Sequence, residues 1–323
     1  MGEDGVSDTS RVDPELAAFF RDVGQEIAKY PPVRMEVPYE PHRRTLDAIA
    51  LKAAIDGPTM AETTDRWVAA RGRRILCRLY RPCVDETLPV MVHFHGGGWI
   101  QSSIDTHDRL AREYSAAGGV AVVSVDYALS PEAKFPQALE ECAAVVRHLV
   151  KHGSEWSVDG SRILLGGDSV GGNLALTVAL LLRDTNGPPI KGILASYPVC
   201  DSRLDTPSYQ SFGAGGYGLT LEQMTFVWDH YVPHEIDRMH PLAAPLRADL
   251  NGLPPVLLVL PEMDILRSEG DAMAAKLAAA GVSVRTEVIQ GMVHGFLRAC
   301  GSVQKARDAL ALIGEWLRAQ ARG

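Results

Sequence analysis

The chain has 323 residues, of which 46% are hydrophobic, and its formal net charge is -8 at pH 7. This length and apolar content can supply a buried core for one large α/β domain or for two small ones. The negative balance, without a cluster of basic residues, excludes a nucleic-acid partner, because binding to a phosphate backbone depends on a concentrated positive surface.

The N-terminal residues 1–15 contain neither the basic region nor the apolar region of a signal peptide, so we expect a cytoplasmic protein. The apolar runs Ala116–Val123 and Val178–Leu182 fall far short of the roughly 20 residues that a membrane span needs. The five cysteines are scattered and form no Cys-x-x-Cys pair, which favours reduced thiols over a metal site.

From about residue 66 onward, short apolar runs alternate with longer helical patterns, which is typical of a mostly parallel sheet covered by helices. We therefore predict an α/β fold with about eight strands and several amphipathic helices. The predicted strands are Arg66–Ala70, Ile75–Tyr80, Val90–Phe94, Val120–Asp126, Arg162–Leu165, Gly192–Ser196, Val256–Leu260 and Val284–Ile289, and the predicted helices are Pro136–Lys151, Gly172–Arg183, Gly270–Ala280 and Val303–Ala319.

Two regions do not follow this alternation. Asp13–Thr63 has helical periodicity without a strand, and Asp201–Asn251 is rich in glycine, proline and aromatic residues. Apolar residues of the second region would line a substrate pocket if it folds over the sheet, or would pack within a small helical subdomain. These residues are Phe212, Tyr217, Met224, Phe226, Trp228 and Tyr231. We divide the chain into an α/β core at 66–200 and 252–323 and additions at 1–65 and 201–251, with Trp99, Phe212 and Tyr217 as candidate substrate contacts.

The segment around Ser169 predicts a catalytic nucleophile. The apolar run Arg162–Leu165 leads into Gly167-x-Ser169-x-Gly171, and a helical pattern begins at Asn173. In a strand–turn–helix of this kind the serine hydroxyl is exposed above the sheet, and the two glycines leave room for the strand and the helix to approach. A phosphate-binding turn is the alternative, but neither Gly-x-Gly-x-x-Gly nor a Gly-Lys-Ser/Thr ending is present.

A serine nucleophile needs a general base and donors for the developing oxyanion. The run His95-Gly96-Gly97-Gly98-Trp99 follows the strand that ends at Phe94. It predicts an oxyanion hole made by backbone N–H groups of this glycine run and of Val170, the residue after the nucleophile, with His95 bracing the loop. Taken alone, three glycines would also suit a flexible loop.

The base and its orienting acid are expected late in the chain, in the order acid then histidine. His294 is the one histidine that follows the last predicted strand, so we assign it as the base. The preceding strand ends in Pro261-Glu262-Met263-Asp264, which leaves Asp264 and Glu262 in competition because residues two apart in an extended segment point the same way. Asp168 is too close to the nucleophile along the backbone and is assigned a structural role.

Five ordered motifs resemble the bacterial hormone-sensitive-lipase-like (family IV) esterases of the α/β-hydrolase fold. The resemblance covers nearly the whole chain. The motifs are His95-Gly96-Gly97-Gly98-Trp99, Tyr127-Ala128-Leu129-Ser130-Pro131-Glu132 with Phe135-Pro136, Gly167-Asp168-Ser169-Val170-Gly171-Gly172-Asn173-Leu174-Ala175, Asp264-Ile265-Leu266-Arg267-Ser268-Glu269-Gly270 and His294-Gly295-Phe296.

The resemblance implies a triad of Ser169, Asp264 and His294, and it favours Asp264 over Glu262. It also implies that the oxyanion donors are the N–H groups of Gly97, Gly98 and Val170. It implies that the two additions form a helical cap, that the substrates are small esters with short to medium acyl chains, and that no metal or organic cofactor takes part. A homodimer is also an expectation.

The chain departs from the family pattern beside the nucleophile. Val170 stands where the family usually has alanine, and its β-branched side chain would narrow the acyl site. Ile265 and Ser268 replace the commoner proline and aspartate, and the usual acidic pair after Phe-Pro is Glu140-Glu141.

Three other functions are compatible with parts of this pattern. An amidase or a lactonase would use the same triad, so the sequence does not separate either from an esterase. The plant gibberellin receptors resemble these esterases but lack the triad histidine, whereas His294 is present here. A dinucleotide-binding oxidoreductase is disfavoured because no Rossmann fingerprint opens the sheet.

Overall fold

The computed structural model describes residues 9–30, 39–53 and 56–323. Eight strands form one sheet in the spatial order β1-β2-β4-β3-β5-β6-β7-β8. The first two strands are antiparallel to each other, β2 is antiparallel to β4, and all other neighbours are parallel. The strands are β1 (Glu62–Ala70), β2 (Arg73–Arg81), β3 (Leu88–Phe94), β4 (Ala121–Val125), β5 (Val158–Asp168), β6 (Gly192–Ser196), β7 (Val256–Met263) and β8 (Val284–Val293).

The helices cover both faces of the sheet. One apolar core lies between the sheet and the helices α4, α5 and α8, and a second lies between the sheet and the helices α3 and α9. The helices are α1 (Pro14–Ile27), α2 (Glu40–Ala53), α3 (Asp108–Gly118), α4 (Gln137–His152), α5 (Val170–Asp184), α6 (Pro207–Phe212), α7 (Leu221–Tyr231), α8 (Arg267–Ala279) and α9 (Gln304–Arg322), and short 3-10 helices lie at Thr9–Arg11, Gly153–Trp156, Glu235–Met239, Pro245–Arg247 and Phe296–Ala299.

Side-chain alternation along the buried strands supplies both cores. In β3, Val90, Val92 and Phe94 face the core on the side of α4 and α5, whereas Met91 faces the core on the side of α3 and α9. This is the pattern of a parallel strand that is covered on both faces. The predicted eight-stranded, mostly parallel sheet flanked by helices is confirmed.

Two details differ from the predicted elements. β1 begins at Glu62, inside the region predicted to hold no strand, because its antiparallel pairing with β2 extends to the pair Glu62 and Arg81. Helix α3 lies outside the predicted set, although Leu110, Ala111 and Tyr114 are spaced to form one buried face.

The two predicted additions contain helices on both sides of the site. The first contributes α1 and α2, and the second contributes α6 and α7. Residues 1–8, 31–38 and 54–55 of the first addition lie outside the described residues. The division of the chain into a core and a cap stays a prediction.

Candidate active site

Ser169 occupies a tight turn between β5 and α5. Its backbone is strained, with φ +57° and ψ -121°, and its side chain stands at the carboxyl edge of the sheet. A Cβ at Gly171 would overlap the carbonyl oxygen of Phe94, and one at Gly167 would overlap the Gly171 backbone. The glycines therefore allow the strand and the helix to approach closely enough to form this turn.

His294 connects Ser169 to a buried carboxylate. Its Nε2 lies 3.0 Å from Ser169 Oγ, and its Nδ1 lies 2.8 Å from Asp264 Oδ2. Asp264 comes one residue after β7 and is 1% exposed, and its Oδ1 accepts a hydrogen bond from Leu266 N at 3.0 Å. With Nδ1–H donating to Asp264, the neutral imidazole presents Nε2 as the acceptor for the serine proton.

Glu262, the competing carboxylate, points elsewhere. Its Oε2 accepts a hydrogen bond from Gly291 N at 2.8 Å, and its Oε1 pairs with Arg11. The two carboxylates are thus separated, and of the two it is Asp264 that hydrogen-bonds to His294.

The predicted oxyanion residues surround the same small cavity as Ser169. Gly97 has φ +121° and Gly98 has φ +65°, in a loop that directly follows β3. A Cβ at Gly98 would lie 2.6 Å from Val227 Cγ1, and one at Gly97 would overlap the Gln101 carbonyl oxygen. Val170 is the first residue of α5, where a backbone N–H has no partner inside the helix and the helix dipole favours negative charge.

Asp168 ties the nucleophile turn to the glycine loop. Its Oδ1 accepts a hydrogen bond from Gly96 N at 3.1 Å, and His107 Nε2 lies 3.5 Å from the same oxygen. Burial opposes ionisation of Asp168, but the neighbouring His107 holds the pKa of this carboxyl below its ordinary value. The structural role predicted for Asp168 fits these contacts, whereas no sequence pattern pointed to His107.

His95 braces the glycine loop, as its position predicted. Its Nδ1 lies 2.8 Å from Gly96 O, and its ring stacks on Tyr127 with centroids 4.3 Å apart. The Tyr127 hydroxyl donates to His95 O at 2.7 Å. Burial lowers the pKa of both His93 and His95 to about 3, so both rings are neutral at physiological pH.

Two adjoining cavities meet at the catalytic residues. The smaller, of about 180 Å³, contains Ser169 and the oxyanion loop. The larger, of about 450 Å³, extends between α1, α2 and α3. The described residues that line both cavities are Leu219, Gln223, His294, Gly295 and Arg298.

The three candidate substrate contacts line neither of these cavities. Trp99 is fully buried and stacks on Tyr231, with ring centroids 4.0 Å apart. Phe212 and Tyr217 pack edge to face at 5.0 Å. Their role as substrate contacts stays a prediction, and the second addition instead presents Leu219, Gln223, Met224 and Val227 to the smaller cavity. Met224 is among the residues predicted to line a pocket, whereas Gln223 and Val227 lie outside that set although they line the cavity from the same helix, α7.

Neither a metal centre nor a membrane span is found in the described part of the chain. No group of three or more histidine, cysteine, aspartate or glutamate side chains there could hold a metal ion. Among the described helices, none combines the length and the apolar character needed to cross a bilayer.

Comparison with known proteins places the chain and its fold in a family. Residues 91–298 match Abhydrolase_3, described as the alpha/beta hydrolase fold. The chain is 38% identical to Carboxylesterase NlhH of Mycobacterium tuberculosis over 71% of its own length and 72% of that protein. It is 31% identical to an ethyl acetate hydrolase of Pseudomonas putida over 95% of this chain and 98% of that protein.

A solved structure extends the likeness to the whole chain. The thermostable esterase of Pseudomonas putida ECU1011 superposes with a TM-score of 0.89 at 34% identity, covering 99% of each chain. The chain therefore belongs to the Abhydrolase_3 family of α/β hydrolases, the hormone-sensitive-lipase-like group that its ordered motifs resemble.

Proposed function

We propose that this protein is a serine carboxylesterase that hydrolyses esters of short to medium acyl chain length through an acyl-enzyme on Ser169. The observation that carries the proposal is the continuous path from Asp264 Oδ2 to His294 Nδ1 at 2.8 Å and from His294 Nε2 to Ser169 Oγ at 3.0 Å. Relatives named carboxylesterase and ethyl acetate hydrolase support the same reaction class.

Acylation begins when Ser169 Oγ attacks the ester carbonyl carbon while His294 Nε2 takes the hydroxyl proton. The imidazolium that forms is stabilised by Asp264, which is buried and keeps the ring in one orientation. His294 then gives the proton to the leaving alcohol oxygen, and the acyl group remains on Ser169.

Deacylation repeats these steps with water as the nucleophile. His294 Nε2 removes a proton from water, which attacks the acyl-enzyme carbonyl carbon. The bond between that carbon and Ser169 Oγ then breaks, His294 returns the proton to Ser169 Oγ, and the carboxylic acid is released. In both halves the carbonyl oxygen becomes negative, and the N–H groups of Gly97, Gly98 and Val170 are the donors that we assign to it.

The size of the smaller cavity supports a limit on acyl length. At about 180 Å³, its apolar wall is formed by Val170, Met224 and Val227. All three side chains are at most 7% exposed and are held by neighbouring packing. A long or branched acyl group would press against these side chains.

The test combines one variant with a substrate panel. Purified protein is assayed with p-nitrophenyl esters of increasing acyl length, with one amide and one lactone in the same series. We expect the highest kcat/KM for a short acyl ester and a loss of at least about 10³-fold in kcat for Ser169→Ala. Substantial hydrolysis by a folded Ser169→Ala variant would overturn the nucleophile, and preference for the amide or the lactone would replace the esterase assignment.

A homodimer and a cytoplasmic location also stay predictions. Light scattering on the purified protein tests the dimer, and a mass of one 35.0 kDa chain would contradict it. Cell fractionation tests the location, and recovery outside the cytoplasm would contradict it.

A further inference from the structure

The larger cavity contacts the triad through His294 and not through Ser169. Its described lining includes His294, Gly295 and Arg298, but not Ser169 or any of the three oxyanion residues. We propose that this cavity binds the alcohol part of the ester and that Arg298 makes it selective for apolar alcohols that carry a carboxylate. The inference rests on the esterase function proposed above.

The assignment of the alcohol part follows from the geometry of acyl transfer. The leaving oxygen has to reach His294 Nε2, which supplies its proton, whereas the carbonyl oxygen has to face the glycine loop. The acyl substituent then points into the smaller cavity, which contains Ser169 and the oxyanion loop. The group bonded to the leaving oxygen points towards His294 and enters the larger cavity.

The walls of the larger cavity are mostly apolar. Two side chains of α1 that line it, Phe20 and Ile27, are 37% and 45% exposed, which is unusual for large hydrophobic residues unless an apolar partner covers them. An apolar alcohol part would bury these surfaces. The other apolar side chains in the described lining are Phe19, Val23, Ile49, Ala50, Leu110, Leu219 and Cys300.

Arg298 is the charged residue at the junction of the two cavities. It lies in the short 3-10 helix after His294, and its exposed side chain lines both cavities. It makes no side-chain hydrogen bond or ion pair with any residue of the described chain. Its charge also acts on the turn at Ser169. Burial opposes the ionisation of Asp168, but the charges of His107 and Arg298 favour it and help to hold the pKa of this carboxyl below its ordinary value.

The larger cavity has a positive balance although the chain is acidic overall. Its described lining contains two arginines, Arg109 and Arg298, and no carboxylate. Arg109 already pairs with Glu113 at 3.4 Å, which leaves Arg298 available for a ligand. A guanidinium at the mouth of an apolar cavity is suited to a carboxylate, which it can bind through two parallel hydrogen bonds.

A matched pair of benzyl-type acetates tests the proposal. The first, 3-(acetoxymethyl)benzoate, is an anion, and the second, 3-(acetoxymethyl)benzamide, is neutral and has nearly the same shape and leaving alcohol. We expect kcat/KM to be about tenfold higher for the benzoate, because hydrogen bonds between charged groups are stronger than those to a neutral amide. We also expect the preference to shrink as salt is added.

Two variants assign the preference to Arg298. Arg298→Gln should bring the benzoate-to-benzamide ratio to about one, and Arg298→Lys should keep part of it, because the positive charge remains. Arg322→Gln is the matched control, since Arg322 is exposed at the end of α9 and lines neither cavity. It changes the net charge equally and should leave the ratio at its wild-type value.

The outcomes separate this inference from the esterase assignment. If p-nitrophenyl acetate is hydrolysed but the wild-type ratio is about one, or if Arg298→Gln keeps the preference, the anion site is overturned and the esterase stands. If no ester is hydrolysed, the esterase assignment fails. In that case calorimetry with 3-(hydroxymethyl)benzoate decides the anion site, which requires binding to wild type and its loss in Arg298→Gln.

Discussion

The catalytic wall of the cleft and its cap-side wall are built in different ways. The catalytic wall, which consists of Ser169, Asp264, His294 and the glycine loop, is held at strand ends by hydrogen bonds and by backbone contacts that admit no extra carbon atom. The cap-side wall, formed by α1 and α7, presents mainly apolar side chains. Displacing a group of the first wall should stop the chemistry, whereas reshaping the second should change which substrate is accepted.

The largest expected effect falls on the acid of the catalytic wall. Asp264→Asn keeps the shape of the side chain but removes the negative charge that fixes the His294 tautomer. We expect kcat to fall by about 10⁴-fold, as in other serine hydrolases with this change. The measurement is steady-state hydrolysis of p-nitrophenyl acetate, with circular dichroism to establish folding.

Glu262→Gln is the matched control for this prediction. Glu262 lies two residues away but bonds to Gly291 N and Arg11 rather than to His294. We expect its kcat to stay within about threefold of wild type, because no contact with the base is lost. A larger loss in Glu262→Gln than in Asp264→Asn would reverse the assignment of the acid.

The oxyanion loop should give the next largest effect. In Gly98→Ala the new methyl group would lie 2.6 Å from Val227 Cγ1, at a residue with φ +65°. The loop has to shift, and we expect kcat to fall by about 10²- to 10³-fold, the usual loss when one oxyanion donor is displaced. KM for p-nitrophenyl acetate should change much less.

Gly119→Ala is the control for Gly98→Ala, because it introduces backbone strain at a glycine away from the site. Gly119 has φ +59° at the end of α3, and a Cβ there would meet nothing within 4 Å. We expect a loss of stability of about 1 kcal/mol with kcat unchanged, because the strain lies away from the site. Equal losses of activity in the two variants would remove the oxyanion role of Gly98.

The buried histidines beneath the catalytic wall predict a pH dependence of stability. Burial lowers the pKa of His93 to about 3 in the folded protein, whereas an unfolded chain has a histidine pKa of about 6.5. Between these values the unfolded state binds the extra proton, so the contribution of His93 to stability falls as the pH falls. The expected slope is about 1.4 kcal/mol per pH unit below pH 6.5.

A difference measurement isolates this effect from acids that titrate in the same range. Burial raises the pKa of Asp126 to about 6, and this carboxyl has the opposite slope because its folded form holds the proton. Urea unfolding of wild type and His93→Gln between pH 7 and pH 5 cancels the Asp126 contribution. As the pH falls below 6.5, the free energy of unfolding of wild type should decrease relative to that of His93→Gln by about 1.4 kcal/mol per pH unit. A difference that stays constant with pH would contradict a neutral buried His93.

The contrast between the walls also explains what the sequence could predict. The eight strands follow from the short apolar runs of the sequence. Ser169, Asp264 and His294 were expected to meet because parallel strands bring their carboxyl ends to one edge of the sheet. From the residues alone, the choice between Asp264 and Glu262 needed atomic positions, since Glu262 lies at the end of β7 and Asp264 directly follows it.

The cap-side wall was much harder to predict. Its lining depends on how helices from distant parts of the chain pack over the sheet, which periodicity does not specify. Size and aromatic character favour Trp99, Phe212 and Tyr217 as substrate contacts. Trp99, however, is buried and stacks on Tyr231, because large aromatic side chains also suit the packing of a core. No sequence pattern predicts a role for Arg298, because its position between the two cavities follows only from the packing of the chain.

The smallest expected effect lies where the two walls meet. Val170 belongs to the catalytic wall through its backbone N–H, but its side chain lines the smaller cavity. Val170→Ala keeps the N–H and removes two methyl groups, so the cavity should accept a longer acyl chain. We expect the hexanoate-to-acetate ratio of kcat/KM to rise about tenfold, the usual worth of a methylene in an apolar pocket. Val178→Ala is the control, since Val178 is a buried valine of the same helix that lines neither cavity. This variant should lose stability but keep the ratio. An unchanged acyl-length profile in Val170→Ala would show that the opposite wall of the cavity sets acyl length.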